Sequence, residues 1–124
     1  MATLTTADGI QYYFDPNGIV AISDRDPSTA TAVTCVYGLS ASGYLRIGEG
    51  AQQFMTRLNI AAKFAQLTRA DGASIWVNGS AVTSIRSRVA TDQSGVNAVI
   101  FAGSTPYMIK ELPAAVAAAL HISA

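Results

Sequence analysis

Apolar and polar residues alternate along two similar stretches of the chain, LTTADGIQYYF at residues 4–14 and LTRADGASIWV at residues 67–77. In each stretch, two short β-prone segments flank an Ala-Asp-Gly triplet. Asp-Gly between such segments is the strongest short-range signal for a β-hairpin, because both residues tolerate a positive φ. The pattern therefore predicts two hairpins, with strands at residues 2–6 and 10–14, and at residues 64–69 and 73–77.

Three further strands and one helix are predicted after each hairpin. β-Branched runs bounded by polar loops indicate the strands, and the apolar spacing turns helical at residues 49–60, where Phe54 and Leu58 lie four apart. A second helix is predicted at residues 112–121, because Pro113 suits a first helical turn and alanines follow it. The further strands are predicted at residues 19–23, 31–37 and 44–47, and at residues 81–88, 96–102 and 106–110.

The two halves of the chain follow one pattern over about 60 residues. With an offset of 63 residues, which slips to 62 after the variable loop, turn and core positions match along the whole length. A register kept over that length favours an internal duplication over a chance match of common turn sequences. The matching pairs include Leu4 with Leu67, Asp8 with Asp71, Ile22 with Ile85, and Glu49 with Glu111.

The predicted fold is α+β and consists of two tandem repeats, each a small antiparallel sheet followed by a C-terminal helix. The repeats are expected at residues 1–60, ending in the helix 49–60, and at residues 61–124, ending in the helix 112–121. A unit of about 60 residues is marginally stable alone, since one helix covers only one face of its sheet. We therefore expect a pseudo-twofold pair that forms one intimate unit with a shared core.

The order of these signals resembles the small flagellar and swarming-motility proteins called FlbD-like. Their pattern has a Leu-Thr start, a Gly, an apolar pair, Asn-Pro, Ile-x-x-Ile and a Val-x-Glu before a helix. The resemblance implies the fold of each repeat and a role as a motility accessory that acts on a protein partner. A phage-encoded relative is a further possibility, and the duplication departs from the usual single copy. The matching segments are LTTADGIQYYFDPNGIVAI and YLRIGEGAQQFMTRL in the first half, and FAQLTRADGASIWVNGSAVTSI and YMIKELPAAVAAAL in the second.

Composition changes this picture in one respect, the surface. Only 13% of residues are charged, 50% are hydrophobic, and the mean hydropathy is +0.30. Desolvating a surface of small uncharged residues costs little free energy, which favours packing against other protein chains. The alternative is a small apolar monomer. The net charge is 0 and no Lys/Arg cluster is present, so we expect no nucleic-acid partner.

A membrane partner is not expected either, because no apolar run reaches the ~20 residues needed to span a bilayer. The first residues, MATLTTADG, lack the charged start and apolar stretch of a secretory leader. The single cysteine, Cys35, is compatible with a reducing compartment. The expected location is therefore a virion or the cytoplasm.

Candidate catalytic residues are few. His121, the single histidine, ends the last predicted helix, where it favours the helix dipole more plausibly than it serves as a base or ligand. Cys35 lies mid-strand among valines and is expected to be buried. Asp8 and Asp71 are explained by their turns, with paired carboxylates as the weaker alternative.

Acidic residues of the first half offer a weak cation site. Asp15, Asp24 and Asp26 lack the alternation and the bidentate Glu of a calcium loop, so a solvated turn is favoured. Gly48-Glu49-Gly50 precedes a helix, whose N-terminus can receive an anion, but the Walker arrangement is missing. We therefore predict no enzymatic activity, no catalytic residues, no cofactor and no metal site.

Two sets of residues remain as binding candidates. Arg86 and Arg88 lie on one face of a strand and could form an anion pocket with Arg46 or Lys110, although such residues more often protect a strand edge against aggregation. Tyr13 and Trp76 point away from Phe14 and Val77 if the strands alternate. They are candidate interface anchors unless both sheet faces are buried internally.

The predicted function is that of a non-catalytic assembly protein that packs into an oligomer or lattice. A virion component such as a capsid decoration protein fits the composition best, with copies of itself or a capsid protein as partners. The alternative is a small binding module, either a motility accessory protein or an oligomer that sequesters a small anionic ligand.

Overall fold

A computed structural model describes residues 2–26, 31–40, 43–103 and 105–120. The chain divides into two compact units, Met1–Ala62 and Lys63–Ala124. Both consist of short antiparallel strands and one α-helix within the described residues. The fold is therefore α+β with small antiparallel sheets, which confirms the predicted class.

The first unit starts with a hairpin of β1 and β2, followed by the antiparallel strands β3, β4 and β5 and the helix α1. An isolated antiparallel bridge joins Thr6, just after β1, to Ile47 at the end of β5. The backbone N–H of Ala7 donates to the carbonyl of Arg46 over 2.7 Å. The elements are β1 (Ala2–Thr5), β2 (Gln11–Phe14), β3 (Ala21–Ser23), β4 (Thr34–Tyr37), β5 (Tyr44–Ile47) and α1 (Ala51–Leu58).

The second unit has a hairpin of β6 and β7, a three-stranded antiparallel sheet in the order β10-β9-β8, and the helix α2. An isolated bridge joins Arg69 to Ile109, and the N–H of Ala70 donates to the carbonyl of Met108 over 3.1 Å. The elements are β6 (Phe64–Thr68), β7 (Ser74–Asn78), β8 (Val82–Ser87), β9 (Ala98–Ala102), β10 (Thr105–Ile109) and α2 (Pro113–Ala119).

All ten predicted strands are present, with bounds that differ by at most a few residues. Helix α1 begins two residues later than predicted, because Gly50 keeps an extended backbone with φ −64° and ψ 150°. Helix α2 ends at Ala119, and His121, the last residue of the predicted helix, lies outside the described residues.

Local hydrogen bonds explain the turns. In the hairpins, the N–H groups of Gly9 and Gly72 donate to carbonyls three residues earlier, and both glycines have a φ near +90°. Asp15 and Asn78 each start a short 3-10 turn by accepting the backbone N–H two residues later, over 2.9 and 3.0 Å. Such Asx turns fix the chain direction between a hairpin and the next strand.

Each unit buries apolar side chains of its strands and one side of its helix. In α1, Phe54 is fully buried and stacks on Phe14 with ring centroids 6.1 Å apart. Val116 in α2 and Leu120, the residue just after α2, are buried and lie four residues apart. The fully buried strand residues include Ile22, Val36 and Ile47 in the first unit, and Ile75, Val77, Ile100 and Ile109 in the second.

Candidate functional site at the edge of β1

The outer edge of β1 presents backbone groups that do not pair with β2. In the β1–β2 register, Thr3 lies opposite Tyr13 and Thr5 opposite Gln11. The N–H of Thr6 donates to the carbonyl of Ile10 over 2.8 Å, so that pair is a hydrogen-bonded one. Because hydrogen-bonded and non-hydrogen-bonded pairs alternate in antiparallel ladders, Thr3 and Thr5 direct their N–H and C=O groups away from β2.

An open groove of about 490 Å³ runs along this edge. The lining residues are Thr3, Leu4, Thr5, Thr6, Ala7, Gly48, Glu49 and Arg57.

Arg57 lines the groove and is held there by three hydrogen bonds. Its Nε donates to Glu49 Oε2 over 2.9 Å and its Nη2 to Glu49 Oε1 over 3.1 Å. The same Nη2 donates to the carbonyl of Thr3 over 2.9 Å, and the guanidinium carbon lies 5.5 Å from the centre of the Phe54 ring. The hydrogen bond with Glu49 raises the pKa of Arg57, against a smaller effect of desolvation. Arg57 is therefore a permanent cation that protects part of the strand edge.

Thr5 is exposed and lines the groove. Across the part of the chain that the structure describes, its N–H and its hydroxyl have no hydrogen-bond partner. Water satisfies such groups on an open surface, and a ligand that supplies acceptors can replace that water.

The corresponding edge of β6 in the second unit is closed by the chain itself. Thr68 donates its N–H to Glu111 Oε1 over 2.9 Å and its hydroxyl to Glu111 Oε2 over 3.0 Å. The N–H of Lys110 donates to the carbonyl of Thr68 over 2.8 Å. By the sequence offset, Thr5 corresponds to Thr68 and Glu49 to Glu111. Glu49, however, is hydrogen-bonded to Arg57.

The predicted interface anchors differ in exposure. Tyr13 is 68% exposed, and its neighbour Phe14 on the opposite face is buried. Ile10, just before β2, is 53% exposed. Trp76 is half-buried next to the fully buried Val77. The role of Tyr13 and Trp76 at an interface stays a prediction.

Arg86 and Arg88 lie together beside the loop that follows β8. Arg86 forms two hydrogen bonds with Asp92, of 3.0 and 3.1 Å. The Arg86 guanidinium and the N–H of Val89 lower the pKa of the Asp92 carboxyl. Arg88 donates to the carbonyls of Gln93 and Val96 over 2.8 and 2.9 Å. An anion at these arginines would compete with contacts within the loop.

Arg46, the third predicted anion contact, belongs to the first unit. Its Nε lies 3.1 Å from Asp26 Oδ2, and Asp26 also accepts the hydroxyl of Tyr44 over 2.8 Å. Asp26 is 2% exposed, so its prediction as part of a solvated turn is wrong. Burial is tolerated because the carboxylate has an ion-pair partner and hydrogen bonds.

Other candidates of the sequence have structural roles. Cys35 is fully buried in β4, as predicted. Asp71 accepts the N–H of Ala73 over 3.1 Å and pairs with Arg69 over 2.7 Å, which confirms its turn role. Among the described residues, no group of three or more His, Cys, Asp or Glu side chains could hold a metal ion. Neither described helix has the length and apolar character to cross a membrane.

Sequence reasoning missed Thr5, Arg57 and the different partners of the two glutamates. The available signal is the match of Glu49 with Glu111, which places a carboxylate at the same point of each half. A scan of protein-family models, a search of curated proteins and a search of solved structures each returned no match.

Proposed function

We propose that this chain is a non-catalytic assembly protein that packs against copies of itself through the outer face of its first hairpin. The observation that carries the proposal is the 68% exposed ring of Tyr13 beside the open edge of β1. Aromatic side chains supply large contact area at interfaces. An unpaired strand edge is a template for another chain.

Composition supports the same role. With 13% of residues charged and a net charge of 0, few ions lose their hydration when two copies meet. The setting that we propose is a virion, where such a protein would decorate a capsid, and a capsid protein is then the second partner. The alternative role as a sequestering module has less support, because an anion at Arg86 would have to displace Asp92 from two hydrogen bonds.

The assembly proposal is tested by sedimentation of the wild type and of Tyr13→Ser. We expect the wild type to sediment above its monomer mass of 12.9 kDa and Tyr13→Ser to shift towards that mass. Met108→Ser is the matched control, because Met108 is also an exposed apolar strand residue, at 41%, but lies in the second unit. A wild type that stays monomeric at every concentration refutes the proposal, as does an equal effect of both substitutions.

We further propose that the two units are tandem repeats that pack as a pseudo-twofold pair. Support comes from equivalent hydrogen bonds at equivalent positions, such as the bridges Thr6–Ile47 and Arg69–Ile109. The Asx turns at Asp15 and Asn78 add to it.

The repeat proposal is tested by producing residues 1–62 and 63–124 separately. We expect each half to melt at a lower temperature than the full chain, and mixing to restore part of the loss. Halves that fold alone with the stability of the full chain would contradict mutual dependence.

A further inference from the structure

We propose that the open edge of β1 binds an extended acidic segment of a partner protein, and that Thr5 holds its carboxylate with the backbone N–H and the hydroxyl. The inference rests on the proposed function only in that the ligand is a protein segment. It adds the chemistry that the segment must carry, and it places the site on the strand edge rather than on the face that bears Tyr13.

The second unit shows how such a carboxylate is held. Thr68 is the last residue of β6 and lies opposite Ser74 in a pair whose backbone groups point outward, since the next pair, Arg69 with Ala73, is the hydrogen-bonded one. Both oxygens of Glu111 accept from this threonine, over 2.9 and 3.0 Å. A threonine at such a position is thus a two-donor receptor for one carboxylate.

The first unit has the same receptor without the carboxylate. Thr5 is the last residue of β1, opposite Gln11, and precedes the hydrogen-bonded pair of Thr6 and Ile10. After Ile47 the chain has Gly48-Glu49-Gly50 where the second unit has Lys110-Glu111-Leu112. The bridge of Thr6 with Ile47 brings Gly48 beside Thr5, as the bridge of Arg69 with Ile109 brings Lys110 beside Thr68. Glu49, however, pairs with Arg57 and not with Thr5.

The hydrogen-bond donors of the groove favour a ligand that supplies acceptors. Two outward N–H groups, the hydroxyl of Thr5 and the side chain of Arg57, which is 42% exposed, line it. The one carboxylate in the lining, Glu49, is already paired with Arg57. Hydrogen bonds from such donors to an ionised carboxylate are about twice as strong as neutral ones.

A peptide fits this edge better than a small carboxylate does. The N–H of Thr3 points outward two residues before Thr5, so a segment whose carboxylate lies at Thr5 can also offer a backbone carbonyl to Thr3. A strand added to a sheet edge gains affinity from such main-chain bonds and specificity from its side chains. The acidic side chain supplies the specificity here.

The test uses a probe from the chain itself, the acetylated and amidated peptide YMIKEL, which corresponds to residues 107–112. The matched control peptide is YMIKQL. The backbone amide spectrum of the full-length protein is followed by NMR during titration. We expect saturable movement of the Thr5 amide signal by YMIKEL, and binding of YMIKQL at least about tenfold weaker, because the neutral amide replaces a charged acceptor.

Two variants of the protein test whether the carboxylate of the peptide binds at Thr5. Thr5→Val removes the hydroxyl and keeps the β-propensity, so the preference for YMIKEL over YMIKQL should shrink. Thr3→Val makes the same change two residues along the strand and should leave the preference intact. Equal binding of the two peptides, or no movement of Thr5 at millimolar peptide, overturns the inference.

The same titration with Tyr13→Ser separates this inference from the assembly proposal. If the wild type is monomeric and YMIKEL still binds at Thr5, the assembly proposal fails and the carboxylate site stands. If the wild type forms Tyr13-dependent oligomers and YMIKEL does not bind, the carboxylate site fails alone.

Discussion

Replacing Glu111 with alanine should destabilise the second unit measurably. The substitution removes both acceptors of Thr68, the bonds of 2.9 and 3.0 Å to its N–H and hydroxyl. A hydrogen bond to a charged group contributes about 1.5–3 kcal/mol. Both residues are only half-buried, so water partly replaces the lost acceptors, and we expect a total loss of about 2 kcal/mol. With a urea dependence of roughly 2 kcal/mol per molar, the unfolding midpoint falls by about 1 M.

The chain contains a suitable reporter for this measurement. Trp76 is its single tryptophan and lies on β7, opposite Gln66 of the strand whose edge Glu111 covers. Urea unfolding followed by tryptophan fluorescence therefore reports on this hairpin. Glu111→Gln should lie between wild type and Glu111→Ala, because an amide oxygen can still accept the N–H of Thr68.

Two control substitutions are compared with Glu111→Ala. Lys110→Ala changes the adjacent, exposed side chain and should alter stability by no more than about 0.5 kcal/mol. Glu49→Ala removes an exposed ion pair and should cost about 0–1 kcal/mol, followed by far-UV circular dichroism. If Glu111→Ala costs no more than Lys110→Ala, the carboxylate does not stabilise the edge of β6 and the reasoning from Thr68 to Thr5 fails with it.

Three further predictions concern other parts of the fold. Phe54→Ala should lower the free energy of unfolding by about 3–5 kcal/mol, against less than about 1.5 kcal/mol for Phe54→Leu, because the ring is fully buried. Urea unfolding followed by circular dichroism measures both losses, and equal losses would contradict the prediction. Gly38→Ala should lower the melting temperature more than Gly43→Ala. The backbone strain is similar at the two positions, with φ values of +105° and +107°, but only at Gly38 would the added Cβ clash with backbone, 2.5 Å from the carbonyl oxygen of Gly18. Asp92 has a lowered pKa, so its contribution to stability is present above the ordinary pKa of 3.8 and is lost as pH falls through its pKa in the folded protein. Arg86→Gln should raise the Asp92 pKa in a carboxyl NMR titration. An unchanged pKa would show that Arg86 is not the cause of the lowering.

Local signals predicted most of the fold. The Asp-Gly turns, the alternation that leaves Tyr13 exposed and Phe14 buried, and the spacing of Phe54 in α1 all depend on residues within about ten positions of each other. Such short-range preferences act in the same way in most sequence contexts. This is why strand positions and turns could be predicted to within a few residues.

The polar contacts of the candidate site could not be predicted in this way. Glu111 meets Thr68 from 43 residues away, and Tyr44 meets Asp26 from 18 residues away. Which partner a carboxylate reaches depends on the path of loops that carry no strong local signal. The prediction for Asp26 was wrong for this reason, since its loop looked like a solvated turn and its ion-pair partner lies on a later strand.

The helices explain why Glu49 pairs with Arg57 whereas Glu111 accepts from Thr68. Arg57 lies in the last turn of α1, and with the offset of 62 residues its counterpart in α2 is Ala119. Glu49 therefore has a cation within reach, whereas Glu111 has none at that position and accepts from Thr68. We therefore expect that Arg57 keeps Glu49 away from Thr5.

Arg57→Ala should accordingly close the groove. Without the guanidinium, Glu49 is expected to turn to Thr5 and to accept its N–H and hydroxyl, as Glu111 does at Thr68. The net stability should change by less than about 1 kcal/mol, because an exposed ion pair is exchanged for two hydrogen bonds. In NMR spectra, the Thr5 amide should exchange with solvent more slowly, and YMIKEL should no longer bind. The double variant Arg57→Ala, Glu49→Ala separates the causes, since it should restore fast exchange at Thr5. If Thr5 exchanges equally fast in Arg57→Ala and in the wild type, Arg57 does not govern access to this edge.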